Sequence, residues 1–60
     1  MDEKIRVFEN MLEIVKADLS ALLEIAKTHH IPEDIAQKQI DNYLEDIHKI
    51  MQEIEKLKNK

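Results

Sequence analysis

A chain of 60 residues with 43% hydrophobic and 37% charged residues and a net charge of −4 makes one small domain, too apolar to stay disordered. It has no cysteine, no glycine and one proline, which excludes disulfide staples, thiolate metal sites and glycine-built phosphate loops. A domain of this size buries only ~60% of the surface its unfolded chain exposes, so its own core is thin.

The first element announces itself by spacing. Ile5, Phe8, Leu12, Val15, Leu19, Leu22 and Ala26 recur at alternating intervals of three and four, the a/d seam of a helix that packs lengthwise on another. With Ile5 at heptad position a, the pattern predicts a helix over about 2–28. A second stripe runs beside the seam at positions g and c: Val7, Met11, Ile14, Ala21 and Ile25. It widens the apolar arc to roughly 160°, beyond the ~100° an ordinary surface helix buries. Asp18 interrupts this stripe at g. It is expected either to reach the rim of an interface or to select one register or partner.

Pro32 ends that run. Inside a helix it costs ~3 kcal/mol and drives the preceding residue, Ile31, out of helical geometry. At the start of a helix it fits, with Glu33 and Asp34 in the first turn where the helix dipole favours anions. A corner is therefore expected at 29–31 and a second helix at about 32–58, with the seam Ala36, Ile40, Tyr43, Ile47, Ile50, Ile54 and Leu57. Helix 2 adds only Leu44 and Met51, at e. The heptad phase also continues through the corner, as in a single kinked coiled coil. That rod would have Ala26, His29, Glu33 and Ala36 as its central knobs, a poor core, and the hairpin is the better solution.

The expectation is an all-α, antiparallel two-helix hairpin, one domain over 1–60, dimerising into a four-helix bundle. One hairpin covers its a and d residues and leaves the flanks wet, so Val7, Met11, Ile14, Asp18, Ile25, Leu44 and Met51 are the predicted oligomer or partner interface. No apolar run approaches the ~18 residues that span a bilayer, and the N-terminus lacks the apolar core of a signal peptide, so the expectation is no membrane partner and a cytoplasmic location.

Candidate chemistry is sparse. Glu45-x-x-His48 has the spacing used by di-iron bundles, but at f and b it faces away from the seam, and no mid-bundle glutamates face inward. His29 and His30 could bind a metal or sense pH; the simpler role is to face the carbonyl end of helix 1. Ser20, the lone serine, has no histidine near it. No metal, cofactor or enzyme activity is expected. Lys4, Arg6, Lys56, Lys58 and Lys60 meet at the open end of a hairpin, whereas Asp34, Asp41, Glu45 and Glu55 line the outside of helix 2. Phe8 and Tyr43 sit in the seam and offer no stacking platform. Nucleic acid is an unfavoured partner, and a protein is the expected one.

Two equal helices, a mid-chain corner and heptads throughout resemble the plasmid RNA-binding hairpins of the Rop family. That likeness spans the whole length, is architectural, and implies an RNA-binding four-helix bundle. No RNA-contacting residue aligns, and Glu3, Glu9, Glu13 and Glu24 occupy the outer side of helix 1. The stretch Leu22-Leu23-Glu24-Ile25-Ala26-Lys27 resembles the small two-helix phosphatases of the sporulation phosphorelay. Their Ser-Gln-Glu-Leu-Asp motif is matched only loosely by Gln37-Lys38-Gln39-Ile40-Asp41, which differs from it at the first two positions and is identical only at the aspartate, so the activity does not carry over. The expected function is a small non-catalytic interaction or regulatory protein that self-associates and binds another protein.

Overall fold

The structure, a computed structural model, describes residues 2–59. Helix α1 (Glu3–Thr28) and helix α2 (Glu33–Lys58) pack against each other as a hairpin, with the first turns of α1 beside the last turns of α2. Lys60, expected in the basic cluster at the open end, lies outside the described residues.

Local chemistry explains the boundaries. Asp2 caps α1: its backbone is extended, and its Oδ1 accepts the Lys4 N–H at 2.9 Å. At the other end the Thr28 hydroxyl donates to the Glu24 carbonyl at 2.9 Å, and the His29 N–H closes onto the Ile25 carbonyl at 2.9 Å. His30 then adopts φ 52°, and the Ile31 N–H reaches back to the Ala26 carbonyl at 3.2 Å. This is the helix-ending turn that usually takes glycine. In a chain without glycine, histidine takes it, at roughly 1–2 kcal/mol for the crowded Cβ. The corner histidines were expected to interact with the carbonyl end of α1, and they do so through the backbone: the His29 N–H closes on Ile25 and His30 supplies the turn.

Pro32 caps α2 instead of opening it. Its ψ of 138° is extended, and its carbonyl accepts the N–H groups of Ile35 and Ala36 at 3.1 and 3.0 Å. The helix thus begins at Glu33, one residue later than expected. No side chain caps it, and Glu33 and Asp34 supply the anionic first turn.

The seam folds as its spacing demands. Among the described residues, the side chains that are not exposed are the fourteen seam residues and Ile31. Only Ala36, Ile50 and Ile54 are buried, all on α2, and none of the α1 residues is. The Cα atoms fill 45 × 16 × 8 Å, a slab one helix thick, and the radius of gyration is 14.1 Å. A compact 60-residue domain has about 10 Å. The molecule is one layer of the two that a stable core normally needs.

Candidate interaction surface

What a single layer leaves uncovered is apolar. Val7, Met11, Ile14, Leu23, Ile25, Ile35, Leu44 and Met51 are between 43% and 61% exposed. All six apolar residues of the expected interface are in this group, and Asp18 is exposed among them. Leu23 and Ile35 were missed. Each stands alone on its flank, Leu23 at e on α1 and Ile35 at c on α2, where no stripe draws attention to it.

The surface is not one patch. In an antiparallel pair, the g flanks of both helices look out on one broad face and the e flanks on the other. The open-end groove shows this directly: Lys4 and Val7 of α1 share it with Glu53 of α2, over a floor of Phe8 and Leu57. Val7, Met11, Ile14, Asp18, Ala21 and Ile25 therefore belong to one broad face. Leu44 and Met51, joined by Leu23 of α1, belong to the other.

The two faces differ in kind. On α1 the six flank residues repeat the four–three spacing of the core seam and amount to a second complete seam. Leu44 and Met51 are seven apart, half a seam at most.

The polar candidates are tied up on the outer surface of α2. Glu45 pairs with Lys49 at 3.2 Å, and His48 Nε2 lies 3.1 Å from Gln52 Nε2. Asp41 accepts from Gln37 at 2.9 Å and Glu55 from Asn59 at 3.3 Å. Glu45 and His48 therefore face different neighbours and do not converge, and Asp41, Glu45 and Glu55 of the acidic row are engaged by neighbours one turn away. At the open end Lys4 and Arg6 share their groove with Glu3 and Glu53, and Lys56 pairs with Glu53 at 3.4 Å, so that end is of mixed sign. His29, His30 and Ser20 are exposed. Among the described residues no three His, Cys, Asp or Glu side chains gather as a metal site, and no helix is long and apolar enough to cross a membrane.

The site thus defines a class by its shape: a flat helical hairpin with an unpaired apolar seam. No protein-family model, curated protein or solved structure matches the chain.

Proposed function

We propose that this chain is a small non-catalytic interaction protein that self-associates through α1 into a four-helix bundle and acts by binding another protein. The observation that carries the reading is the second, exposed seam on a helix that buries none of its own residues. Surface area supports it. A folded chain of 7.1 kDa exposes about 4,100 Å² by the usual scaling. This one exposes 5013 Å², an excess of roughly 900 Å² against the ~800 Å² that each partner buries in a standard interface. Leu23, Leu44 and Met51, on the far face, are the apolar residues that self-association through α1 leaves for a different protein.

Sedimentation equilibrium tests the first half. A mass near twice 7.1 kDa, with a melting temperature that rises with concentration, is the expected result. A folded monomer whose melting ignores concentration overturns it. Affinity capture with and without nuclease tests the second half. Binding that survives nuclease and is lost in Leu44→Glu is expected; binding lost with nuclease moves the reading to RNA.

A further inference from the structure

We infer that the α1 flank is covered by a second copy of this chain laid antiparallel across it, α1 on α1, with the two corners at opposite ends of the bundle. This rests on the self-association reading and specifies which surfaces meet and how.

The angle fits first. On a helix turning 100° per residue, the core seam and the flank seam of α1 point ~110° apart. In a square four-helix bundle the two neighbours of each helix stand at about a right angle, so one helix can serve α2 with one seam and a partner helix with the other. α2 has no such second seam: beyond the lone Ile35 in its first turn, the matching flank positions are Gln39, Asn42, Asp46, Lys49, Glu53 and Lys56, all polar.

Two flat hairpins can stack by a two-fold axis in only two ways. With both corners at one end, α1 lies on the partner's α2. Met11 then lies between the partner's Lys49 and Glu53, and Asp18 between the partner's Asn42 and Asp46. That lays an apolar seam on charged and amide side chains that lose water without apolar cover in return, which is unfavourable. With corners at opposite ends, α1 lies on the partner's α1 and apolar surface meets apolar surface. Along the other edge the two-fold axis passes beside Asp46, so the two Asp46 carboxylates approach each other on the polar α2 flank, with the partner's Lys49 about one turn away.

The same choice sets the register. Of all alignments of the reversed flank on itself, one matches every residue: Val7 with the partner's Ile25, Met11 with the partner's Ala21, and Ile14 with the partner's Asp18. Each layer joins a g residue to a c residue, the antiparallel equivalent of a-to-d packing, and the longest side chain meets the smallest. Asp18 discriminates. In this register the two Asp18 residues are offset by four residues, ~6 Å along the axis. Sliding one turn in one direction sets them face to face, and sliding the other way brings Ile25 to the partner's Lys4.

Because the chain has no cysteine, introduced thiols report the packing unambiguously. Val7→Cys chains mixed with Ile25→Cys chains under mild oxidation should cross-link as heterodimers, in at least tenfold excess over either homodimer. Met11→Cys mixed with Glu53→Cys should not. Circular dichroism of each variant before oxidation confirms that it folds, and Asp18→Leu, which replaces a carboxylate in the seam, should tighten the dimer at least tenfold. A Met11–Glu53 cross-link overturns the inference in favour of corners at one end. A dimer by sedimentation that yields neither cross-link places the contact elsewhere and overturns it too. A monomer by sedimentation overturns the self-association reading beneath it, a separate failure with its own readout.

Discussion

Helices α1 and α2 are of equal length, 26 residues each, yet they hold themselves together differently. α2 has the buried residues, Ala36, Ile50 and Ile54, and its polar surface is laced by neighbour pairs one turn apart: Gln37–Asp41, Glu45–Lys49, His48–Gln52, Glu53–Lys56 and Glu55–Asn59. Each such pair contributes only ~0.2–0.5 kcal/mol, but all of them favour the helix before any partner arrives. Among its described residues α1 shows no side chain–side chain pair. It has the Asp2 cap, the Thr28 back-bond and two apolar seams, of which the hairpin half-covers one. One helix is stabilised largely from within. The other depends on what it touches, and that dependence is the physical content of proposing α1 as an interface.

The contrast can be broken most sharply by charge. Ile14→Glu places a carboxylate in the middle of the flank seam, so assembly and helicity should be lost together at micromolar concentration, as read by sedimentation and circular dichroism. Leu44→Glu is the matched control on the opposite face and should leave both intact. Next in size is Ile54→Ala, which removes a core residue only 8% exposed and should cost about 2–4 kcal/mol in denaturant titration, with or without assembly. Asp2→Ala removes the only side-chain cap on either N-terminus and should cost about 1 kcal/mol. The smallest effect should be a gain. His30→Gly relieves the left-handed backbone at the corner but frees the unfolded chain, for a net of about 0.5 kcal/mol and a melting temperature a few degrees higher.

The seam was fully legible in the sequence, because a side chain's angle around its own helix depends only on spacing, and each of the fourteen seam positions proved to be shielded. The corner was legible through Pro32, though not its details. Spacing does not say that proline takes the cap with extended ψ, nor that His30 supplies the positive φ, since both follow from how the chain closes the end of α1. The exposed apolar residues were found individually but pooled. Val7, Met11, Ile14 and Ile25 read alike with Leu44 and Met51 on separate helical wheels. They part onto opposite faces only when the two helices run antiparallel, which turns e toward e and g toward g. Leu23 and Ile35 escaped because periodicity finds stripes and overlooks single residues.

The central claim, that α1 and not α2 is the helix awaiting cover, is tested most directly by methyl NMR with a soluble paramagnetic probe across a dilution series. As concentration rises, the methyl groups of Val7, Met11, Ile14 and Ile25 should become protected from the probe while those of Leu44 and Met51 stay accessible. Protection of Leu44 and Met51 with the α1 methyls still bleached would contradict the account.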